Sequence, residues 1–352
     1  MRRGLAGLLL IAWLHSSAHS DQAPSDSDHH DPVAAPTASS PWIDLSTSNV
    51  LENVATHPVV EDHKIAAVAT LGGFYVGFTT WTYFAWYRKH KPLSQFRWGG
   101  DGWLGDTTYA GGADKFGHAW ATMALARGGT ELLSQWGGFD RLPSAAIATG
   151  LSELLFLGVE VKDGFYYEFS FSDATGDTLG AIAAFALSMW PRLDELFDYR
   201  VQYWPSDMYL RKVDGTSPCP TGGCSKWNIA EDYSGETYLL ALHLGGIHAL
   251  RDMKYGTWSR FVDLTLGFDT RNYKPTPDPS LMLTPRQQMF VGVSLNAQGL
   301  FDWLLEGRPS RGARVTRKIT HGVFEMFNLP FTTLRGPESS HVPDGTPASD
   351  GA

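Results

Sequence analysis

The chain has 352 residues, a formal net charge of −9 and an isoelectric point near 5.7. It lacks a basic stripe with interleaved aromatic residues, which argues against nucleic-acid binding. Its thirteen tryptophans are typical of a membrane interface or a carbohydrate-binding surface, although an aromatic-rich core would also explain them.

The first segment has the pattern of a secretory signal peptide. Residues 1–20 contain two arginines, a short apolar stretch and a small-residue cleavage site. An uncleaved anchor is the alternative, but the apolar stretch is shorter than the roughly 20 residues that span a bilayer. Residues 21–42 are rich in Ser, Pro, Asp and Ala and predict a disordered linker. We therefore expect an exported protein of the periplasm or cell envelope.

Residues 65–87 contain no charged side chain, and Arg88, Lys89 and Lys91 follow them. Their length and basic flank fit a membrane-spanning helix whose basic end faces the cytoplasm. A buried helix in a soluble bundle fits the same pattern. Both interpretations remain open at this point.

Three further segments predict helices: 113–136, 143–162 and 173–190. Pro143 suits the first turn of the second, and Pro191 ends the third. Together with 65–87 they predict a membrane-associated four-helix bundle within residues 43–195.

The second half of the chain predicts strands at 238–247, 260–268 and 288–295, because apolar and small or polar residues alternate there. We expect a small antiparallel sheet in a β-rich periplasmic region, 196–335, followed by a disordered tail, 336–352. The predicted fold class is therefore α+β.

The only cysteines, Cys219 and Cys224, flank a Pro-Thr-Gly-Gly turn. In an exported protein such a close pair predicts a local disulfide rather than a metal or redox motif.

Ionisable residues interrupt the three apolar helical segments. Buried charges persist only when they are paired or used, so these residues predict one shared polar site. Residues four or seven apart share a helix face, which groups the acids and the histidine. The candidate site residues are Asp114, Lys115, His118, Glu153, Glu160, Asp163, Asp173 and Asp177.

Four of these residues, Asp114, His118, Glu160 and Asp173, are candidate ligands for a divalent metal. No known metal-ligand spacing supports that set, and no serine or cysteine stands beside His118 as a nucleophile. Asp114 can instead stabilise a helix start. Lys115 can simply pair with Glu160 or Asp173.

Three motifs carry a family resemblance. They are Asp-Lys-x-x-His at 114–118, Glu-x-x-Asp-Gly-Phe at 160–165, and the Phe-Ser segment 169–180 that ends in Gly. They resemble the YfiM-type predicted periplasmic lipoproteins, an uncharacterised family of envelope proteins. More distantly they are similar to VanZ-like membrane proteins, which are small helical membrane bundles.

The chain departs from that pattern in two ways. Asp177 stands where the family usually has Asn, which adds a charge to the site. The lipid-attachment cysteine is missing, so membrane association must come from another segment, such as 65–87.

The resemblance implies an envelope location and site residues but no reaction. We expect a non-enzymatic envelope protein that contacts a membrane surface or bilayer. Its polar site would hold the helices in register or bind a lipid or glycan head group. The alternative is a metal-dependent or acid/base hydrolase or transferase that acts on a lipid-linked envelope substrate.

Overall fold

The computed structural model describes residues 63–100, 102–105, 108–216, 228–276 and 281–342. The expected signal peptide, the linker and the Cys219–Cys224 disulfide lie outside these residues.

Helices occupy all four segments in which the sequence predicts them. Pro143 lies in the first turn of the third, and Ser170 caps the fourth by accepting a hydrogen bond from the Asp173 amide. The first two continue into single π-helical turns, Tyr83–Tyr87 and Leu132–Trp136. The four helices are α1 (Lys64–Thr82), α2 (Ala113–Glu131), α3 (Arg141–Tyr166) and α4 (Phe171–Met189).

Helices α2, α3 and α4 pack against one another. Two glycines of α4 allow a close approach to α2. A Cβ atom on Gly180 would lie 2.1 Å from the Ala119 carbonyl oxygen, and one on Gly176 would lie 2.8 Å from that of Lys115. This contact brings the polar first turns of the two helices together.

Helix α1 contacts the rest of the helices through a small apolar group. Ala67 and Leu71 pack on Leu132 and Leu133 of the second π-helical turn. Most other side chains of α1 are exposed, which leaves a long apolar surface without a protein partner in the described part of the chain.

Shorter elements connect these helices to the C-terminal region. Strand β1 (Trp98–Gly99) pairs in parallel with β2 (Phe169–Ser170). The remaining helices are α5 (Pro191–Asp194), α6 (Asp207–Asp214), α7 (His248–Arg251), α8 (Ala297–Leu305) and α9 (Arg311–Met326). The 3-10 turns are Tyr109–Gly112, Ile229–Glu231, Tyr233–Gly235, Leu244–Gly246 and Gly256–Phe261.

The C-terminal sheet is larger than the sequence predicts, and it is mixed rather than antiparallel. Its order is β7-β3-β4-β5-β6-β8, in which only the β3–β7 pair is parallel. The last strand runs through the start of the segment predicted as a disordered tail. The strands are β3 (Phe197–Tyr203), β4 (Glu236–His243), β5 (Val262–Arg271), β6 (Arg286–Leu295), β7 (Phe327–Asn328) and β8 (Thr333–His341).

The sheet curls until its first and last long strands meet. The Gln202 side-chain oxygen on β3 accepts a hydrogen bond from the Thr333 hydroxyl on β8, at 3.3 Å. One face of the sheet is therefore enclosed, although its residues are largely polar. The other face points outward and is apolar. In an ordinary antiparallel sheet the apolar face packs on the core and the polar face meets water, so the arrangement here is reversed.

A charge network fills the enclosed face. Arg200 lies 2.5 Å from Asp198 and 2.8 Å from Asp263. His243 bridges the same two carboxylates at 2.9 and 2.7 Å, and the Asn296 amide donates to Asp263 at 2.9 Å. Burial alone would lower the pKa of His243, but these carboxylates outweigh it and raise the pKa to about 9.

Helix α2 crosses the outer face of the sheet at one end. The Phe116 ring stacks on Phe268 at 4.5 Å and lies 5.9 Å from Tyr238. The Tyr199 hydroxyl donates to the Phe116 carbonyl oxygen at 2.9 Å. The sheet thereby fixes the first turn of α2, where the polar residues lie.

Within the described residues, one helix is long and apolar enough to cross a membrane. It is Arg141–Tyr166, with a mean hydropathy of 1.5 and a third of its residues buried. Length and composition alone are weak evidence, since core helices of soluble proteins pass the same test. A membrane span at 65–87 stays a prediction.

We predict that Gly180→Ala destabilises the protein by about 1–3 kcal/mol, because the added methyl group collides with the α2 backbone. Urea unfolding measures this change. Gly150→Ala on α3 is the matched control, because no atom lies within 4 Å of its added Cβ. That control should be neutral or slightly stabilising, and equal losses in both variants would contradict the close α2–α4 contact.

We predict that the stabilising effect of His243 disappears in alkaline solution. Its folded-state pKa of about 9 lies above the ordinary value, so its contribution is complete below about pH 6.5 and is lost as the pH rises through 9. The difference in melting temperature between wild type and His243→Gln should therefore be largest near pH 6 and shrink above pH 9. The exposed His90→Gln variant is the control, and a constant His243→Gln difference would refute this account.

Candidate functional site

Three helices bring seven of the predicted site residues to one place. The first two turns of α2 supply three, the C-terminal half of α3 two, and the first half of α4 two. We call this group the polar cluster; its members are Asp114, Lys115, His118, Glu160, Asp163, Asp173 and Asp177.

One half of the polar cluster is centred on Lys115. Its ammonium group lies 2.8 Å from Asp114 and 3.1 Å from Asp173, and all three side chains are buried or nearly so. Of the two partners that the sequence left open for Lys115, Glu160 and Asp173, the structure places Asp173 beside it. Asp114 lies in the first turn of α2 but does not cap it, because Gly112 holds that position.

The other half is centred on His118. Its Nδ1 lies 3.0 Å from Asp177 and its Nε2 lies 3.6 Å from Glu160. The Thr122 hydroxyl donates to the same Asp177 oxygen at 2.9 Å. The second oxygen of Asp177 is buried and has no hydrogen-bond partner.

Hydrogen bonds also join Glu160 and Asp163 to neighbouring residues. Glu160 accepts from the Ser170 amide at 3.2 Å, and the Ser170 hydroxyl lies 3.0 Å from that of Ser172. Asp163 accepts from the Tyr87 hydroxyl at 2.6 Å. Tyr87 belongs to a π-helical turn, a feature frequent at functional sites.

Glu153 does not join the polar cluster. It instead accepts a hydrogen bond at 2.7 Å from the hydroxyl of Thr178, the residue after Asp177 on α4. Burial raises its pKa. The seven-residue spacing from Glu160 places it on the same helix face, as predicted, but about two turns away.

Burial makes three carboxyl groups of the cluster hold protons more tightly. It raises the pKa of Asp114 to about 7, of Glu160 to about 8 and of Asp163 to about 6. Burial would lower the pKa of His118, but Asp177 and the other carboxylates raise it to about 10. With this raised pKa the imidazole carries a positive charge at neutral pH.

The structure groups possible metal ligands differently from the sequence prediction. Donor atoms of His118, Glu160 and Asp177 all lie within 4.8 Å of one another. The other two predicted ligands, Asp114 and Asp173, are instead held by Lys115. A histidine and two carboxylates suit a divalent transition metal or Zn²⁺, and the unpartnered Asp177 oxygen fits that use.

An aromatic rim that the sequence did not reveal borders the polar cluster. The rings of Tyr87 and Tyr167 lie 6.3 Å apart, and those of Tyr109 and Tyr233 lie 6.1 Å apart. Burial and then the Asp163 charge raise the pKa of Tyr167 to about 12. Burial, Glu231 and then Asp114 raise that of Tyr109. The four rings come from distant segments, so no local pattern links them.

One comparison with known families finds a match. Residues 100–189 match the model of a family described as "Predicted periplasmic lipoprotein (DUF2279)". The match covers about a quarter of the chain and includes the whole polar cluster. It supports an uncharacterised periplasmic lipoprotein family and an exported, envelope-associated protein. This match does not test the similarity to VanZ-like proteins, which stays a prediction.

No curated protein and no solved structure matches the chain.

We predict that Lys115→Met destabilises the protein by about 3–5 kcal/mol, because it leaves two buried carboxylates without their cation. Chemical denaturation measures this loss. Lys318→Met, an exposed lysine on α9, is the matched control and should change little. Adding Asp173→Asn to Lys115→Met should restore part of the stability, and a double variant no better than the single one would contradict the pairing.

Proposed function

We propose that this protein is a non-enzymatic, membrane-associated component of the cell envelope whose polar cluster binds the sugar head group of a membrane lipid. The observation that carries the proposal is the composition of the site. Five carboxyl groups share two cationic side chains, both already paired, and aromatic rings stand beside them.

This composition favours a sugar over a phosphate. Sugar hydroxyls can donate hydrogen bonds to carboxylates, and the apolar face of a sugar ring can pack on a tyrosine ring. A phosphate would bring further negative charge to an acid-rich site whose Lys115 and His118 already have carboxylate partners.

The contacts of His118 speak against a nucleophilic reaction. Each imidazole nitrogen faces a carboxylate, Asp177 on one side and Glu160 on the other. Within the described residues, its hydrogen-bond and ion-pair partners are these two carboxylates rather than a hydroxyl or thiol group. An activated nucleophile needs such a contact with its base, so the geometry favours binding over acyl or glycosyl transfer.

The outer surface of the helices supports membrane association. Large apolar side chains are exposed on three helices. Soluble monomeric proteins rarely expose wide apolar patches, so this surface is typical of contact with a membrane or a partner. A lipid whose head group lies in the polar cluster can extend its chains over this surface. Representative exposed residues are Ile65, Val76, Leu154, Leu179 and Ile182.

A metal-dependent hydrolase acting on a lipid-linked substrate is the second candidate. The grouping of His118, Glu160 and Asp177 favours it. A divalent metal held there would supply an activated water molecule. The chain itself would contribute Thr122, which orients Asp177 through its hydrogen bond.

The test is native mass spectrometry of the detergent-purified protein with diglucosyl diacylglycerol and with phosphatidylglycerol of matched acyl chains. We expect the wild type to prefer the glycolipid. Because Asp163 is the cluster member that contacts Tyr87, Asp163→Asn should weaken glycolipid binding about tenfold by removing a charged acceptor. Asp302→Asn on α8, outside the cluster, is the matched control.

Equal binding of both lipids, or glycolipid binding unaffected by Asp163→Asn, would reject the sugar-binding proposal. Metal analysis of the same preparations separates the second candidate. A stoichiometric divalent metal present in wild type and Asp302→Asn but lost in Asp177→Asn would favour the hydrolase.

A further inference from the structure

The outward face of the curled sheet is an apolar surface without a protein partner among the described residues. Strands β4, β5, β6 and β8 contribute matching rows, because register pairs Leu240 with Leu266, and Leu264 with Val293. Helix α2 covers only one end of this face, at Tyr238 and Phe268. The exposed residues are Leu240, Leu264, Leu266, Val291, Val293 and Leu334.

The polar, enclosed face of the sheet cannot become the outward face. It holds Arg200, Asp198, Asp263 and His243 in mutual ion pairs. A one-residue change of strand register would move every side chain to the opposite face. It would expose those charges and bury the leucines. The apolar face therefore lies outward by construction, as in sheets surrounded by lipid.

The segment that joins β4 to β5 indicates what covers this face. Residues 248–260 carry three basic side chains and one acidic side chain, in a chain with a net charge of −9. Met253, Tyr255 and Trp258 in this segment are exposed. The segment adjoins the row that contains Leu264 and Val293. Exposed aromatic and basic residues beside an apolar surface are typical of a membrane interface with anionic lipids.

The β8 edge of the sheet disfavours a second copy of the chain that pairs with it strand to strand. Strand β8 forms this edge and carries Arg335, Pro337 and Glu338. Charged residues and proline on an edge strand block pairing with another strand.

We propose that the outward face of the curled sheet inserts into one leaflet of a bilayer that contains anionic lipids. Its apolar rows span about 13 Å from Met289 to Val293, at about 3.3 Å per residue. This height is less than half of the roughly 30 Å hydrocarbon core, so the sheet enters the membrane without crossing it. The proposal concerns a surface separate from the polar cluster and does not depend on head-group binding.

The test places a fluorescent nitrobenzoxadiazole probe on the outward face. The full chain, with Cys219 and Cys224 replaced by serine, carries Val293→Cys as the labelling site. Vesicles of phosphatidylcholine and phosphatidylglycerol with brominated acyl chains quench a probe that enters the hydrocarbon region. We expect quenching at position 293 to be about threefold stronger than at a surface position, and weaker without the anionic lipid.

Val315→Cys on α9 is the matched control, because Val315 is 39% exposed and Val293 is 40% exposed. Vesicle affinity is measured as well. Val293→Glu should lower this affinity, whereas Val315→Glu should not. Equal quenching at both positions overturns the proposal. Protection of position 293 from aqueous iodide that depends on protein concentration, without quenching by brominated lipid, also overturns it and identifies a second copy as the partner.

Discussion

The compensation of buried charge is the constraint on which this structure depends. Five carboxyl groups lie where three helices meet, and each needs a proton, a cation or a hydrogen-bond donor to remain there. Lys115 and His118 supply the cations, while Thr122, Tyr87 and the Ser170 amide supply donors. The helices can pack closely only if these partners are in place, so the stability of the helical part and the chemistry of the site are inseparable.

Buried carboxylates are also compensated by cationic side chains inside the curled sheet. There Arg200 and His243 compensate two aspartates, and Asn296 adds a donor while also capping α8. The two sets differ in balance. The sheet network matches two cations to two acids, whereas the polar cluster has an excess of acids and an unpartnered Asp177 oxygen. Our proposal of a ligand at the cluster rests on that excess.

Much of the fold could be predicted locally. Apolar runs with Pro143 and Pro191 as boundaries locate the helices, and alternation locates the central strands. The sequence also identified the residues of the cluster, because acids in apolar helices are costly. It could not show that Lys115 would hold Asp114 and Asp173, or that Tyr87 would reach Asp163, since these pairings follow from how the helices approach one another.

The sheet was harder to predict from the sequence, because its arrangement also depends on contacts between distant segments. Alternation shows that a strand has two unlike faces, but not which face is enclosed. That depends on the meeting of Gln202 and Thr333, which are distant in sequence. Strands β3, β7 and β8 were all missed, and of these the short strand β7 and the edge strand β8 lack a strong apolar pattern of their own.

The strict alternation along β5 and β6 has a consequence for changes of chain length. Because every second residue points into the charge network, inserting one residue within these strands would send an aspartate outward and a leucine inward. Insertion of two residues would keep the faces but would shift Asp263 away from Arg200. Length variation should therefore be confined to the connections, such as the segment between Asn272 and Arg286, where added residues leave both faces unchanged.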